Sequence, residues 1–478
     1  RQAVTKALNL AGKLEKTEKI THSVAIQDRS KAVIEPLITE QWFVRVAKLN
    51  QPVIKAIESG AIKFYPARFK QFALDWLKNE HDWCISRQIW WGIRIPVYYK
   101  TSDDPKKDPY IIAESEADAI AYYGKGNYRA ETDTFDTWFS SGQWPYATLM
   151  ATGDFERFYP TTTMATARDI LHKWVTRMIM FGLYRTGKIP FDNVYLWGLV
   201  TDEKGQKLSK SKGNYDDPMQ ITAKYGTDAL RLALSIGITP GNDGKVSDEK
   251  IKGYRNFCNK LWNVARFVLA SVEPTTSPST AKLESAADHW IVGKFNLAIK
   301  SITKDLESYK FSEAGQTAYT LLWSDLADQY IEYSKKSPNP ALLAYLLDTM
   351  LRLLHPFAPF VTEAIWQQLM WTNSNLITEQ WPNVIHKSST AESKKFELEI
   401  IKVLAQKQTA ATEVELRKLQ RELEAKQNMA RIAEGKLNNS QFTKNAPAQV
   451  VKAEKDRLMQ ARTSIKELQD EIKKLKSA

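Results

Sequence analysis

The sequence predicts an α/β domain, followed by an all-α region and then by a C-terminal antiparallel coiled-coil hairpin. Residues 160–240 alternate helix and strand patterns, which favours an α/β sheet. After about residue 250 the apolar residues recur at helical spacing. Residues 396–478 place apolar residues in alternating steps of three and four, which is the spacing of a coiled-coil seam. Because a chain of 478 residues is too long for one ordinary core, several domains are expected.

The composition favours a polyanionic partner. The chain has 67 Lys and Arg against 55 Asp and Glu, which gives a net charge of +12 and a pI near 9.2. Nucleic acid is the first candidate for such a balance, and a generic basic surface is the alternative. The most apolar tract, residues 341–361, carries Asp348, Arg352 and His355. We therefore expect a buried helix there rather than a membrane span.

The cysteine count restricts both the kind of site and the compartment. Only Cys84 and Cys258 occur, and they lie far apart in the sequence. This count excludes a disulfide framework and a four-cysteine zinc site. It also fits a reducing compartment, so we expect the protein to be cytoplasmic.

The segment at 166–188 predicts a helix that leads towards a strand. Thr166 is expected to cap this helix and Gly187 to end it. Residues 193–201 then form a short apolar run, which predicts a buried strand. The tract KGQKLSKSKGN follows directly at residues 204–214.

This tract sets lysines and serines on a loop of small residues just after a strand. Ligands of α/β sheets bind at such strand ends. Lys207 and Lys210 supply compact positive charges suited to phosphate, and Ser209 and Ser211 add hydroxyl donors. The tract therefore predicts a phosphate-binding loop. A solvated basic loop is the alternative that the tract alone leaves open.

The C-terminal tail predicts two helices separated by one break. Residues 434–449, which include Gly435 and Pro447, interrupt the apolar spacing. This pattern favours an internal antiparallel hairpin, and a dimerisation coiled coil is the alternative. The tail has 17 Lys and Arg against 12 Asp and Glu, a net charge of +5. The seam residues are Leu416, Leu419 and Leu423 before the break, and Leu458, Ala461, Ile465, Leu468, Ile472 and Leu475 after it.

Several motifs resemble, in order and spacing, the valyl-tRNA synthetase family of class I aminoacyl-tRNA synthetases. KLSKS at residues 207–211 is similar to the KMSKS signature of that class, with Leu208 at the Met position. The resemblance runs from about residue 20 to the tail. The other matching segments are DTFDTWFSSGQWPYATL (133–149), DILHKWVTRMIMFGLYRTGKIPF (169–191), YGTDALRLAL (225–234), GYRNFCNKLWNVARFVL (253–269) and LRLLHPFAPFVTEAIW (351–366).

The resemblance implies a domain organisation. The α/β domain would be the KMSKS half of a Rossmann-like nucleotide-binding domain, and the helical region would be an anticodon-binding bundle. The coiled-coil hairpin would be an arm that binds tRNA. The expected divisions are the exit from an editing insertion at 1–45, the catalytic half at 46–240, connecting helices at 241–275, the bundle at 276–385 and the arm at 396–478.

The resemblance also implies an activity. The family joins valine to ATP, which is bound with Mg²⁺, and then transfers the valine to tRNA(Val). Lys207 and Lys210 would be the catalytic residues, and Trp138, Ile170 and Trp174 would line the valine pocket. A monomer without membrane contacts is implied. The ATP-binding residues would be Asp169, Gly198, Leu199, Val200, Ser209, Lys210 and Ser211.

The sequence also departs from the family pattern. None of its six histidines lies in the HIGH signature of class I, and the chain does not begin with Met. We therefore expect the C-terminal portion of a longer enzyme, inactive by itself. A non-catalytic tRNA-binding fragment and an isoleucyl-tRNA synthetase are the alternatives. Family members often have cysteines near residues 21–30 and 105–130; none occurs here, so no zinc is expected.

Two further departures lie beside the predicted pocket. Ala167 stands where the family usually has a glycine, two residues before Asp169. The added methyl group lies where backbone is expected to approach the nucleotide. His172 and Lys173 replace residues that are commonly aromatic in the family.

Overall fold

The computed structural model describes most of the chain as two compact units. The described residues are 2–27, 30–35, 38–102, 108–202, 204–206, 208, 217–384 and 387–477, of which 280, 402–415, 441 and 474–477 are described by their backbone alone. The first unit comprises Arg1–Met164 and Ile170–Val194. The second comprises Ala165–Asp169 and Tyr195–Ala478.

The elements up to residue 197 are short strands interleaved with helices. They are α1 (Gln2–Leu10), β1 (Phe43–Val44), α2 (Val46–Glu58), β2 (Lys63–Tyr65), α3 (Arg68–Asn79), β3 (Trp83–Cys84), β4 (Ser86–Arg87), β5 (Val97–Lys100), β6 (Tyr110–Ile112), α4 (Glu116–Tyr123), β7 (Tyr128–Ala130), β8 (Thr134–Phe135), α5 (Thr137–Ser141), α6 (Trp144–Thr152), α7 (Phe155–Phe158), β9 (Thr161–Ala167), a 3-10 turn (Arg168–Ile170), a π-helical turn (Leu171–Val175), α8 (Thr176–Thr186) and β10 (Phe191–Trp197).

The remaining elements are almost entirely helical. They are β11 (Val200–Thr201), α9 (Pro218–Tyr225), α10 (Thr227–Ser235), β12 (Gly244–Lys245), α11 (Asp248–Ser271), a 3-10 turn (Pro278–Thr280), α12 (Ala286–Glu307), α13 (Phe311–Thr320), a π-helical segment (Leu321–Tyr330), α14 (Ile331–Ser334), α15 (Pro340–Leu354), α16 (Pro359–Trp366), a 3-10 turn (Leu376–Thr378), α17 (Thr390–Asn438), α18 (Ser440–Asn445) and α19 (Ala448–Ser477).

The strands form several small sheets. Strand β10 lies between β2 and β9 in a three-stranded sheet, and β5 lies between β6 and β7 in another. The pairs β1–β3, β4–β8, β5–β6 and β5–β7 are antiparallel, whereas β11 and β12 are parallel. The predicted alternation of strand and helix is confirmed, because α8 connects two neighbouring strands of one sheet.

The helix predicted at 166–188 begins later than expected. Thr166 is a buried residue of β9 and is not the helix cap that the sequence suggested. The segment TTTMATA buries Met164 and Thr166 on one face, so its β-branched, alternating pattern outweighs the capping signal. The regular α-helix runs over Thr176–Thr186, and Gly187 ends it as predicted, with φ +70°.

The helical region has one continuous core, and a buried carboxylate ties its elements together. Asp288, in the first turn of α12, is 2% exposed. It accepts hydrogen bonds from the Ser285 backbone N–H (3.3 Å), the Tyr330 hydroxyl (2.8 Å) and the Asn339 side-chain amide (2.9 Å). Burial, followed by the charge of Asp288, raises the pKa of Tyr330, so the phenol stays protonated and donates. The carboxylate therefore connects α12, the π-helical segment and the start of α15.

The tail helices α17 and α19 lie against each other. Glu434 pairs with Arg462 and Lys436 pairs with Glu454, so the two helices run in opposite directions. The start of α17 belongs to the bundle: Phe396 is 5% exposed and packs 5.3 Å from the Trp290 ring. Residue 396, where the arm is predicted to start, lies within α17, and the domain divisions stay predictions.

We predict that Asp288→Ala destabilises the helical region by about 3 kcal/mol. The substitution removes the Asp288 half of the capping box, while Ser285 remains the N-cap, and it leaves the buried Tyr330 hydroxyl and the Asn339 amide without this acceptor. Urea unfolding followed by far-UV circular dichroism measures the change. Glu332→Ala, an exposed residue of α14, is the matched control and should change stability by less than about 0.5 kcal/mol. Equal midpoints for the two variants would contradict the role given to Asp288.

Candidate functional site

The residues predicted to approach ATP form part of a tightly packed backbone crossing in the second unit. Strand β11 pairs with β12, with Val200 beside Gly244 and the Gly244 N–H donating to the Leu199 carbonyl at 2.9 Å. A Cβ atom on Gly198 would lie 1.7 Å from the Asn242 carbonyl oxygen. Only glycine therefore fits at position 198, because the two backbones touch there.

Asp243 fixes this crossing from the side of β12. One carboxylate oxygen accepts the Leu199 N–H at 2.8 Å, and the other accepts from the Arg168 guanidinium at 2.8 Å. Arg168 belongs to the 3-10 turn that follows β9. One carboxylate thus joins that turn to the segment containing Gly198, Leu199 and Val200. The neighbouring Asp169 is exposed in the same turn.

A tight hairpin follows β11 and leads into the lysine tract. The Asp202 N–H donates to the Gln206 carbonyl (3.0 Å), and the Leu208 N–H donates to the Val200 carbonyl (3.3 Å). The Asp202 side chain also accepts the Gln206 backbone N–H at 2.8 Å. Gly205 has φ +76°, which glycine adopts without strain. This turn sets the register in which the chain enters the tract.

The side chains predicted to bind phosphate follow this hairpin. Lys207, Ser209, Lys210 and Ser211 lie outside the described residues. The described residues Val200, Asp202, Gln206 and Leu208 hold the chain on both sides of position 207. Their hydrogen bonds define the backbone that precedes the predicted phosphate-binding side chains.

A second group of predicted residues lies in the first unit, around α5. Asp136 caps this helix: it is 6% exposed, and its carboxylate accepts the Trp138 N–H at 3.4 Å. The same carboxylate accepts from the Trp83 indole (3.0 Å) and pairs with Arg87 (2.9 Å). Asp136 therefore fixes the start of the helix that carries Trp138.

A buried ion pair supports Trp83 from its other side. The Arg177 guanidinium lies 3.9 Å from the centre of the Trp83 ring and pairs with Glu80. Burial lowers the pKa of Arg177, and the Glu80 carboxylate opposes that shift. Glu80 also accepts from the Asn50 amide at 3.1 Å. Both Glu80 oxygens therefore accept hydrogen bonds, whereas Arg177 Nη1 is buried without a hydrogen-bond partner among the described residues.

Trp138 lines a cavity of about 430 Å³. The cavity also exposes Arg87, Asp136, His172 and Lys173, so its wall is more polar than the resemblance implied. The His172 ring lies 4.4 Å from that of Trp76.

The other two residues of the predicted valine pocket do not line this cavity. The indole of Trp174 donates to the carbonyl of Ser141, the last residue of α5, at 3.0 Å. Trp138 belongs to the first turn of the same helix, so the two tryptophans lie at opposite ends of it. Ile170 is half-buried at the end of the 3-10 turn. The structure therefore associates the two tryptophans through one helix and leaves Ile170 apart from the cavity.

Three carboxylates that organise these groups were not predicted from the sequence. Asp136 precedes the helix residues Thr137 and Trp138, and Asp202 stands three residues before Gly205; both are recognisable cap or turn signals. Asp243 has no comparable local signal, because its partners are distant in sequence. Such long-range pairing is visible only in the folded chain.

Metal-binding side-chain groups and membrane-spanning helices are the next features to consider. Within the described part of the chain, no group of three or more His, Cys, Asp and Glu side chains is arranged to hold a metal ion. The absence of zinc stays a prediction. Among the same described residues, every helix is too short or too polar to cross a bilayer.

Two family models match the chain. The model described as "tRNA synthetases class I (I, L, M and V)" matches residues 10–247. The model described as "Anticodon-binding domain of tRNA ligase" matches residues 288–452. The range matched by the synthetase model includes both groups of site residues, and the range matched by the anticodon-binding model includes most of the helical region.

The curated relatives include valine–tRNA ligases from several bacteria. The chain is 41% identical to that of Bacillus cereus over 411 residues, which is 82% of this chain and 46% of the relative. It is 42% identical to that of Bacillus anthracis, over 80% of this chain and 45% of the relative. It is 41% identical to that of Geobacillus stearothermophilus, over 82% of this chain and 46% of the relative. The chain thus spans about half the length of these relatives.

Solved structures share the fold. The LeuRS–tRNA–LeuAMS complex of Agrobacterium radiobacter aligns with a TM-score of 0.53 at 23% identity, over 64% of this chain and 42% of that one. The methionyl-tRNA synthetase of Mycobacterium tuberculosis bound by methionyl-adenylate aligns with a TM-score of 0.52 at 17% identity, over 73% and 66%. With both family models and the valine–tRNA ligases matching the same chain, this protein belongs to the class I aminoacyl-tRNA synthetases.

Proposed function

We propose that this chain carries valine–tRNA ligase chemistry: ATP-dependent activation of valine, followed by transfer of the valine to tRNA(Val). The observation that carries the proposal is the hairpin of residues 200–208, which Asp202 and Asp243 hold and which leads into KLSKS. The relatives named valine–tRNA ligase support valine over isoleucine as the amino acid.

Activation is a nucleophilic substitution at the α-phosphorus of ATP. A valine carboxylate oxygen bonds to the α-phosphorus of ATP while the bond from that phosphorus to the departing pyrophosphate breaks. Lys207 and Lys210 would stabilise the negative charge that builds on the phosphates, and Ser209 and Ser211 would donate hydrogen bonds to them. Mg²⁺ would enter with ATP as part of the substrate. In the second step, a terminal hydroxyl of tRNA displaces AMP from the valyl group.

The backbone segment of Gly198, Leu199 and Val200 would lie against the adenine. Gly198 lies against the Asn242 backbone, so at this position the segment has no room for a side chain. Asp169 would contact the nucleotide from the neighbouring turn. These assignments follow the family motif residue by residue.

Valine would be recognised around α5. By the family motif, Trp138 of this helix, Trp174, which donates to its last residue, and Ile170 would enclose the branched side chain, although only Trp138 lines the cavity described above. Such an apolar pocket discriminates a missing methylene by about 1–3 kcal/mol. The charged wall beside Trp138 is the feature of this chain that the family motif does not account for.

The helical bundle and the hairpin arm would bind tRNA. Residues 416–478 carry 15 Lys and Arg against 8 Asp and Glu, a net charge of +7. This positive charge would attract tRNA because Lys and Arg contact its phosphates and release the counterions bound there. The domain divisions, a monomeric state and a cytoplasmic location remain predictions.

Valine-dependent exchange of pyrophosphate into ATP tests the activity. We would measure it on this chain alone and on this chain joined to the preceding half of a homologous valine–tRNA ligase. Exchange that depends on valine and not on isoleucine supports the proposal. Faster exchange with isoleucine favours the isoleucyl alternative. tRNA binding without exchange in either protein favours the non-catalytic alternative.

Lys210→Ala should lower the exchange rate at saturating substrates by about 100-fold in whichever of these proteins is active. It should leave the KM for valine nearly unchanged, because the lysine is assigned to charge that appears in the transition state. Lys212→Ala, two residues further along the same tract, is the control. A parallel loss of valine affinity would argue against the assigned role.

Gly198→Ala should destabilise the crossing of β11 and β12 by about 3 kcal/mol or more and weaken ATP binding. The new methyl group meets backbone atoms, which cannot move aside as a side-chain end can. Thermal unfolding with and without ATP measures both effects. Gly253→Ala, on α11 with open space around the position, is the control and should be neutral or slightly stabilising. Indistinguishable unfolding of the two variants would contradict the close contact.

Removing residues 416–478 should weaken tRNA binding and flatten its dependence on salt, while it spares the folded bundle. This end point keeps Phe396, whose side chain belongs to the bundle core. Titration of labelled tRNA at several salt concentrations gives the slope, which should become shallower because phosphate contacts are lost. An unchanged affinity and slope would mean that the arm has another role.

A further inference from the structure

The cavity beside Trp138 has a charged wall that the family motif does not explain. This cavity of about 430 Å³ lies within the first unit, and its volume is in the range of ligand pockets. Because Ile170 and Trp174 do not line it, it shares only Trp138 with the valine pocket that the motif implies. The charged wall is therefore free to serve a ligand other than valine.

Positive charge exceeds negative charge in this wall. Among the described residues, Asp136 is the one carboxylate that lines the cavity, and it is already paired with Arg87 at 2.9 Å. The Glu80 partner of Arg177 does not line the cavity, and counting it still leaves an excess of one positive charge. A cleft with such an excess attracts an anion. The lining cations are Arg87, Lys173 and Arg177.

Two of these cations have unused hydrogen-bonding capacity. Lys173 is exposed, and from the described part of the chain neither a hydrogen bond nor an ion pair reaches its ammonium group. Arg177 is 5% exposed, and its Nη1 atom is buried with no hydrogen-bond partner among those residues. A buried donor without an acceptor is costly. An oxyanion in the cavity would give the ammonium group a partner and would place negative charge beside the guanidinium.

The rest of the wall suits an apolar group. The side chains of Trp76, Trp83 and Trp138 line the cavity, and Trp76 is 39% exposed. Covering their indoles removes apolar surface from water, which favours a ligand with an apolar body. An ammonium group on that ligand is disfavoured, because it would add positive charge to a wall that already has an excess of it.

We propose that this cavity binds a small carboxylate that has an apolar body and no ammonium group. Lys173 would donate hydrogen bonds to the carboxylate, Arg177 would add positive charge beside it, and the indoles would cover the apolar body. Such a ligand is neither valine, ATP nor tRNA, so the inference goes beyond the proposed function. Binding requires no catalysis, so failure of the proposed function would leave this inference standing.

The experiment is an NMR titration of 3-phenylpropanoate with the 478-residue chain at constant ionic strength. Two comparison ligands separate the parts of the proposal. Phenylalanine has the same skeleton with an added ammonium group, and acetate has the carboxylate without the apolar body. Each should bind at least about tenfold more weakly than 3-phenylpropanoate, the first because of charge repulsion and the second because the indoles stay uncovered.

Substitutions at Lys173 locate the binding. Lys173→Ala should weaken the binding of 3-phenylpropanoate about tenfold, because a charge-assisted hydrogen bond is lost. Lys173→Arg keeps the charge and should restore most of the affinity. Lys63→Ala is the matched control, since Lys63 is an exposed lysine of β2 in the same unit that does not line the cavity. The control should bind as the unmodified chain does.

Several results would overturn the inference. These are no binding by the unmodified chain, equal binding by Lys173→Ala, or a loss of the same size in Lys63→Ala. Phenylalanine or inorganic phosphate bound as tightly as 3-phenylpropanoate would also contradict the assigned ligand class. Should Lys173→Ala lower the unfolding temperature, Lys173→Gln replaces it in the same titration.

Discussion

The contact between Gly198 and the backbone of residues 242–243 is the constraint on which the candidate ATP site depends. Two chain segments touch with no side chain between them, and Asp243 then joins one of them to the turn at Arg168. Because this crossing fixes where β11 ends, it also fixes where the hairpin starts and where the chain enters the lysine tract.

Carboxylates with several donors recur as organisers of the fold. Asp136 holds the start of α5, Asp202 the turn of the hairpin, and Asp288 the junction of three helical elements. Each accepts hydrogen bonds from backbone N–H groups, and Asp136 and Asp288 also accept them from side chains, which offsets the cost of removing their charges from water.

The sequence predicts the order of domains because motifs and periodicity are local. The end of α8 at Gly187 follows from a glycine signal and is found. The one strand predicted at 193–201 is found as two, β10 and β11, which belong to different sheets and are interrupted at Gly198 and Leu199. The strand at Thr166 is missed because its alternating pattern competes with a capping signal in the same residues. Asp243 is missed for another reason: its significance lies in which distant groups surround it, and periodicity carries no information on that.

Helix α12 connects the interior of the bundle with the start of the arm. Its Trp290 ring packs against Phe396, the residue through which α17 joins the bundle core. One turn along, the Lys294 ammonium lies 4.0 Å from the Glu397 carboxylate of α17. The first turn of α12 also carries Asp288, which joins this helix to the π-helical segment and to the start of α15. Because one helix holds both the core and the start of α17, a substitution that loosens α12 should disturb both together.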